Sequence, residues 1–292
     1  RPDILHLHSV GPAVFTPLAR ALGLRVVVTH HAPDYVQAKW GWLGKWILKT
    51  GERMTMRYAN EVISVSRHGA AELKRAYGRE ATLILNGVPF IGPTESRAVL
   101  DELGLESGRY VLHVGRAIPD KRQDDLIKAF SRAGLPDWKL VLVGNLSGDD
   151  DYSARVRQMA AAREDVVLAG FRSGVELQTL FTNAGCFALP SAIEGLSIAL
   201  LEALSAGCVV VGSDIPANHE IELPASCYFK VGDIDALAAA ICTVPNTIPA
   251  QVWQDLRNRV HQEYDWSRIA EQTVQLYRDS MSGQFAVQRY CQ

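Results

Sequence analysis

Two glutamates after residue 190 are the first candidates for chemistry. Glu194 stands in a turn after the apolar run CFALP, and Glu202 lies eight positions later in an apolar helical pattern. At a rise of about 1.5 Å per residue, the two carboxylates are roughly 12 Å apart along the axis. Hydrolytic carboxylate pairs lie about 5 to 9.5 Å apart, so a simple glycosidase pair is disfavoured. The spacing suits one extended ligand, with the amides at the helix start facing a phosphate. The plainer interpretation makes Glu194 a helix cap and Glu202 a solvated helix residue.

Two cations follow a predicted strand at 109–115. Arg116 and Lys121 are five positions apart, and at the carboxyl end of a strand both can reach a diphosphate. Arginine offers a forked contact and lysine a point charge. The alternative is that both are surface charges, with Pro119 starting a turn and Arg122 solvated.

These motifs need strands and helices to position them, and the whole chain alternates between the two. Strands are predicted at 4–8, 25–30, 61–66, 81–88, 109–115, 138–144, 166–170, 186–190, 208–213 and 226–231. Helices are predicted near 12–22, 37–59, 67–77, 121–133, 150–162, 174–183, 196–206, 216–222, 234–242, 248–263 and 266–281. This alternation predicts an α/β fold with parallel sheets, whose ligand cleft opens at the carboxyl ends of the strands. The glycine- and proline-rich stretch 89–108 places a domain boundary near 90.

Composition narrows the class of protein. A chain of 292 residues with 48% hydrophobic and 21% charged residues can bury two cores. Its 30 basic and 32 acidic residues argue against nucleic-acid binding. The five cysteines include no C-x-x-C pair, which disfavours a zinc site and fits a cytoplasmic location. No apolar run is long enough to predict a membrane-spanning helix.

In this order and on these elements, the motifs resemble the retaining family-four glycosyltransferases, which have the GT-B architecture of two Rossmann-like doubly wound domains. The similarity extends to GFRSGVELQTLFTNAGCFALPS, GSDIPANHEI, VISVS, ILNGV and YDWSRIAEQ, and so covers nearly the whole chain. It implies a partial acceptor-side domain at 1–90, a donor-binding domain at 91–265, and a helix and tail at 266–292 returning toward the first domain. Relative to the family, the first strands and a glycine-bearing loop are missing, so we expect an N-terminally truncated chain with an incomplete first domain.

The resemblance also implies roles for single residues. Arg116 and Lys121 would hold the donor diphosphate, Glu194 would bind hydroxyls of the donor sugar, and Glu202 would bind the ribose. At the other implied donor-binding positions, the backbone contacts the donor or the absence of a side chain lets the nucleotide approach closely. These positions are Gly115, Gly144, Phe171, Arg172, Gly195, Leu196 and Ser197.

Histidines at strand ends supply a further candidate. Family members place a histidine two residues after a threonine that ends a strand. Thr29 ends a predicted strand in this chain, so His31 corresponds to that histidine, near the donor sugar on the acceptor side. His30 would pack sideways. His31, Arg116, Lys121 and Glu194 are therefore the expected catalytic residues.

A metal site is the rival interpretation of these histidines. His6 and His8 share one strand face, and with the pair at 30–31 they could in principle gather a metal. No carboxylate or thiol accompanies them, so no metal is expected, in line with the metal-independent catalysis that the resemblance implies. The acidic clusters are interpreted as a solvated loop, Asp149–Asp151, and a helix start, Asp233 and Asp235.

The stretch 39–49 combines three tryptophans with three lysines. Its spacing is typical of an interfacial helix on anionic lipid, which would bring the enzyme to a lipid-linked acceptor at the inner face of the membrane. Alternatively, the tryptophans pack into the domain or line the acceptor cleft. Related glycosyltransferases share a similar stretch ending at a residue like Glu52, which weakens a purely lipid explanation.

The expected function is transfer of a hexosyl unit from a nucleoside diphosphate sugar to a saccharide or lipid-linked acceptor, with retention and without a cofactor, in surface polysaccharide or glycolipid synthesis. Two alternatives stay open. One is a nucleotide-sugar epimerase or hydrolase of the same architecture, and the other is a non-catalytic sugar-nucleotide-binding fragment or partner subunit.

Overall fold

The computed structural model describes residues 2–36, 40–146, 148 and 150–282. The strands are β1 (Ile4–His8), β2 (Arg25–His30), β3 (Glu61–Ser64), β4 (Thr82–Leu83), β5 (Tyr110–Val114), β6 (Lys139–Val143), β7 (Val166–Gly170), β8 (Cys186–Leu189), β9 (Val210–Ser213) and β10 (Tyr228–Phe229). The helices are α1 (Thr16–Ala21), α2 (Trp42–Tyr58), α3 (Arg67–Tyr77), α4 (Ala98–Glu102), α5 (Gln123–Ala133), α6 (Asp151–Ala161), α7 (Gly174–Thr182), α8 (Ile198–Ser205), α9 (Pro216–His219), α10 (Ile234–Thr247), α11 (Ala250–Glu263) and α12 (Trp266–Ser282). Short 3₁₀ turns cover Pro12–Phe15, Asp34–Val36, Pro119–Lys121 and Ala225–Cys227.

The chain divides into two compact units. Unit 1 comprises Arg1–Gly87 and the chain from Trp266 onward, and unit 2 comprises Val88–Asp265. Both contain a parallel sheet, so the predicted α/β fold with two Rossmann-like domains is confirmed.

Unit 1 is built on a four-stranded sheet in the order β1-β2-β3-β4. The valines of β2 are fully buried because helices cover both faces of the sheet. Val26 and Val28 pack with residues of α1, α2 and α3, while Val27 packs with Ile269 and Leu276 of α12. The last described helix is therefore part of the unit 1 core.

Unit 2 is built on a six-stranded sheet in the order β10-β9-β8-β5-β6-β7. The chain runs outward from β5 through β6 to β7, and then returns to place β8 on the other side of β5. This reversal makes a topological switch point between β5 and β8, where ligands of open α/β sheets bind. All of β8 is buried, which fits the uninterrupted run CFAL.

Several predicted elements differ at their ends. Of the strand predicted at 81–88, only Thr82–Leu83 forms a strand, and Ile84 still donates its amide to the Ser64 carbonyl at 3.0 Å. Val88 instead donates its amide to the Tyr264 carbonyl at 2.8 Å. The strand predicted at 226–231 shortens to Tyr228–Phe229 after a 3₁₀ turn. A short helix, α4, forms in the stretch taken as a linker. Within the described part of the chain, no helix has the length and apolar character to cross a bilayer.

Candidate functional site

Two predicted motifs meet at the switch point of unit 2. Arg116 and Lys121 follow β5, and Glu194 follows β8, the neighbouring strand. The Ala192 amide donates a hydrogen bond to the Asp120 carbonyl at 2.8 Å, which ties the two turns together. Lys121 Nζ lies 2.5 Å from Glu194 Oε1, and the two side chains are only 19% and 11% exposed. The ion pair is therefore shielded, and both groups are directed to one point at the carboxyl edge of the sheet.

The turn that carries Lys121 has its own local cause. Pro119 begins a 3₁₀ turn, and Arg122 ends it in a left-handed conformation at φ 52°. Arg122 is half-buried and forms an ion pair with Asp125, so the interpretation of this residue as a solvated charge is wrong. The pair holds the turn against the start of α5.

Arg116 differs from Lys121 in its surroundings. Its side chain is exposed, and among the described residues no carboxylate pairs with it. Its carbonyl accepts a hydrogen bond from Gln123 Nε2 at 2.8 Å, which fixes the backbone at the end of β5. The guanidinium therefore stands at the same sheet edge as the Lys121–Glu194 pair, with no acidic partner there.

The ends of β5 and β6 are in main-chain contact. Gly144 has φ 142°, and a Cβ placed on it would lie 2.1 Å from the Gly115 carbonyl oxygen. Only glycine fits this position, because any side chain would force the strand ends apart.

A cavity of about 520 Å³ opens beside this contact. It lies at the carboxyl ends of β6 and β7, and its lining residues are Gly144, Asn145, Leu146, Leu168, Gly170, Phe171 and, from α6, Arg157. Phe171 is 76% exposed, whereas the Arg172 guanidinium pairs with Glu102 at 2.6 Å. Because that side chain is engaged elsewhere, Arg172 can offer this cavity only its backbone.

The start of α8 continues the site on the other side of the ion pair. Ser197 is the N-cap, and its buried hydroxyl accepts a hydrogen bond from the Leu200 amide at 3.4 Å. Gly195 is half-buried and Leu196 is buried in the preceding turn. Glu202 lies on α8, where burial raises the pKa of its half-buried carboxyl. The helix start presents backbone amides and partial positive charge beside Glu194.

His113 is a site residue that the sequence does not single out. It is fully buried in β5, and its Nδ1 donates to the Ala188 carbonyl of β8 at 3.0 Å. Its Nε2 is buried without a hydrogen-bond partner among the described residues. The position of a Cβ on Gly115 would lie 3.1 Å from this nitrogen and 3.6 Å from Lys121 Cδ. Burial first, and then the charge of Lys121, lower the pKa of His113 to about 4. A neutral imidazole nitrogen therefore lies close to the Gly115 backbone and to the side chain of Lys121.

In unit 1, the structure separates the roles of the two histidines that end β2. His30 is buried and hydrogen-bonds Glu52 at 3.0 Å. His31 is half-buried at the strand end, where its Nε2 lies 3.2 Å from His8 Nδ1. His6 contacts Tyr277 and Thr29 instead. Among the described residues, no three potential metal-binding side chains form a group that could hold an ion.

The acidic clusters have structural partners. Asp150 caps α6 by accepting hydrogen bonds from the amides of Tyr152 and Ser153, and Asp233 caps α10 in the same way. Asp235 pairs with Arg132 at 2.6 Å. Asp149 lies outside the described residues.

Comparison with known proteins identifies the family and the fold of the chain. The family model "Glycosyl transferases group 1" matches residues 98–246, and the model "Glycosyltransferase Family 4" matches residues 1–90. Alpha-maltose-1-phosphate synthase of Mycolicibacterium smegmatis is 28% identical over 254 residues, which are 78% of this chain and 65% of that protein. Phosphatidyl-myo-inositol mannosyltransferase of the same organism is 29% identical, over 96% of this chain and 72% of its own length. The chain thus spans just under two thirds of the synthases that it matches.

Solved structures share the fold at lower identity. Anabaena HepE, crystallised with UDP and glucose, superimposes with a TM-score of 0.82 at 21% identity, covering 95% of this chain and 78% of that one. Sucrose-phosphate synthase from Thermosynechococcus elongatus has the same TM-score at 22% identity, with 96% and 74% covered. Both resemblances show the GT-B fold. Because the first family model alone accounts for residues 98–246, half of the sequence, the chain belongs to the group 1 glycosyl transferases.

Proposed function

We propose that this chain transfers a hexosyl unit from a nucleoside diphosphate sugar to a hydroxyl of a saccharide or lipid-linked acceptor, with retention of configuration. The observation that carries the proposal is the 2.5 Å pair between Lys121 and Glu194 at the switch point of unit 2. A cation for phosphate and a carboxylate for hydroxyls stand there side by side, next to the start of α8.

The donor would lie along the carboxyl edge of the unit 2 sheet. Arg116, Lys121 and the amides of Gly195, Leu196 and Ser197 would bind the diphosphate. Glu194 would accept hydrogen bonds from the hexosyl hydroxyls, and Glu202 from the ribose. The cavity beside Gly144 and Phe171 has room for the base. His31 is proposed as the residue of unit 1 that contacts the transferred sugar.

Chemistry in this arrangement is mainly positioning and charge stabilisation. The bond between the anomeric carbon and the diphosphate oxygen breaks, a bond to the acceptor oxygen forms, and the hydroxyl proton leaves with the nucleoside diphosphate. Negative charge on the leaving group is offset by the two cations and by the positive end of α8. This supply of fixed positive charge supports catalysis without a metal or cofactor.

The printed names of the relatives support the choice of substrates. One is a phosphatidyl-myo-inositol mannosyltransferase, another is an O-antigen chain mannosyltransferase of Escherichia coli, and HepE was crystallised with UDP-glucose. We therefore place the reaction in glycolipid or surface polysaccharide synthesis, on the cytoplasmic side of the membrane.

A donor screen tests the proposal. Purified chain would be incubated with a panel of nucleoside diphosphate sugars, with and without lipid-linked saccharide, and release of nucleoside diphosphate would be measured. Lys121→Ala is expected to lower turnover by about 10²- to 10³-fold, as loss of one transition-state contact does elsewhere. Lys139→Ala, which removes a lysine from the start of β6 at the opposite end of the same sheet, is the matched control.

Three results would contradict the proposal. Acceptor-independent release would indicate a hydrolase or epimerase, and donor binding without any release would indicate a non-catalytic binder. Full activity of Lys121→Ala would remove this site from the reaction. Loss of activity on chelation would contradict metal independence alone.

A further inference from the structure

Helix α2 exposes aromatic residues at one end and cations along the rest of one face. Trp42 is 82% exposed and Trp46 is 60% exposed, in the first two turns of the helix. Lys49, Arg53 and Arg57 are also exposed. Residues spaced by three, four, seven and eight share one face of a helix, so these five form a continuous stripe. We call it the α2 surface.

The opposite face fixes the orientation of the helix. Leu48, Gly51, Glu52, Thr55 and Met56 are buried. A Cβ on Gly51 would lie 1.9 Å from the Val10 carbonyl oxygen, so the backbones are in direct contact. Because α2 cannot roll without breaking this contact, the tryptophans are held outward.

A third tryptophan adds to the apolar end. Trp40 lies just before α2, and its ring would contact a Cβ on Gly44 at 2.9 Å. The ring therefore packs over the first turn, where Leu43 is also exposed. Lys39, which belongs to the stretch singled out in the sequence, lies outside the described residues.

The charge on α2 is one-sided. Its only acidic residue, Glu52, is buried and accepts hydrogen bonds from His30, Tyr35 and Tyr77. Burial alone would raise the pKa of Glu52, but the hydrogen bonds from His30 and Tyr77 outweigh it and the pKa lies below its ordinary value. No acidic side chain of the helix therefore reaches the α2 surface, and all the charged residues of that surface are cations.

We infer that the α2 surface binds an anionic lipid bilayer. Tryptophan favours the boundary between headgroups and acyl chains, and cations just behind it meet the negative headgroups. If the tryptophans packed into the protein core, their rings would be buried, but they are exposed. A neutral partner would gain nothing from the three cations aligned on the same face. This inference does not depend on the transfer reaction, since membrane binding requires neither donor nor acceptor.

Vesicle flotation with the complete chain tests the inference. One set of vesicles contains phosphatidylcholine only, and the other also contains phosphatidylglycerol. The wild-type chain is expected to float with the second set, and its tryptophan emission is expected to shift to shorter wavelength. Lys49→Gln with Arg53→Gln should weaken binding about 30-fold, which corresponds to about 1 kcal/mol for each cation near an anionic surface.

Matched variants separate the α2 surface from general charge. Lys74→Gln with Arg75→Gln removes the same charge from α3 of the same unit and should leave binding unchanged. Trp42→Ser with Trp46→Ser should abolish both flotation and the spectral shift, with an unchanged melting temperature.

The inference fails if the wild-type chain does not float with anionic vesicles, or if the α2 and α3 charge variants lose binding equally. Quenching of tryptophan emission by a soluble oligosaccharide, without flotation, would assign these rings to acceptor binding instead. Because no step involves a sugar nucleotide, failure here leaves the donor screen unaffected.

Discussion

At the scale of single residues, Lys121 already has a partner in Glu194. A diphosphate bound at this point has to compete with that carboxylate for the ammonium group. Glu194→Gln should therefore bind nucleoside diphosphate without sugar about tenfold more tightly, given about 1.5 kcal/mol for a charged hydrogen bond. The same variant should bind the complete donor less tightly, because the hydroxyl acceptor is weakened. Titration calorimetry with both ligands measures the two changes, and equal changes would contradict the assignment.

The buried His113 predicts that the free energy of unfolding depends on pH. Its pKa is lowered to about 4 in the fold, whereas an unfolded histidine keeps about 6.5. Between these values the unfolded chain binds the extra proton, so the free energy of unfolding falls as pH falls from 6.5 toward 4. The stabilisation is complete above the unfolded pKa.

His113→Phe removes this dependence. Chemical denaturation of wild type and variant at several pH values gives a difference curve, in which up to about 3 kcal/mol should disappear across that window. Burial also lowers the pKa of His6 to about 4, but this histidine is present in both proteins, so its contribution cancels in the difference. A difference curve that is flat with pH would contradict a neutral, buried His113.

At the scale of elements, α8 depends on its cap. Ser197→Ala should cost about 1 kcal/mol of unfolding free energy, because the Leu200 amide loses its acceptor. Ser197→Asn and Ser197→Asp both keep a capping oxygen, but only aspartate adds negative charge. If the helix start holds the diphosphate, Asp should weaken donor binding well beyond Asn at similar stability. Thermal melts and calorimetry on the two variants check this, and equal affinities would place the phosphate elsewhere.

The periodic elements are predictable from sequence, but their ends are not. The buried runs of β2 and β8 and the amphipathic helices α3 and α5 come directly from residue pattern. The strand predicted at 81–88 is shorter than its pattern: Ile84 keeps a hydrogen bond to Ser64 of the sheet, whereas Val88 forms a tertiary hydrogen bond with Tyr264. Helix α10 is predicted to end at 242 but continues through Pro245 to Thr247, since burial of Val244 outweighs the unfavourable helix propensity of the proline.

At the scale of the whole molecule, pattern cannot give the order of strands in a sheet. The sequence indicates that Arg116, Lys121 and Glu194 end strands, and it predicts one shared edge. It does not indicate that β8 lies next to β5, which is what brings Lys121 within 2.5 Å of Glu194. Sequence pattern does not single out His113 for the same reason, because the role of this residue depends on the strand next to β5 that its imidazole contacts, which is β8.

All proposed donor contacts except His31 belong to unit 2. Residues 88–265 contain their own sheet and core, so this fragment should fold and bind nucleoside diphosphate with the affinity of the complete chain. Calorimetry on the fragment and the chain makes the comparison, and turnover should be lost from the fragment. Weaker binding by the fragment would mean that unit 1 supplies part of the nucleotide site.

The contact between Gly144 and the Gly115 carbonyl leaves no space for a side chain where two strands end. Any group lying over that point meets peptide atoms, which a point mutation cannot exchange for others. If the base of the proposed donor lies here, a change of base preference has to come from the surrounding side chains, such as Asn145, Arg157 and Phe171, because the floor of the cavity is main chain.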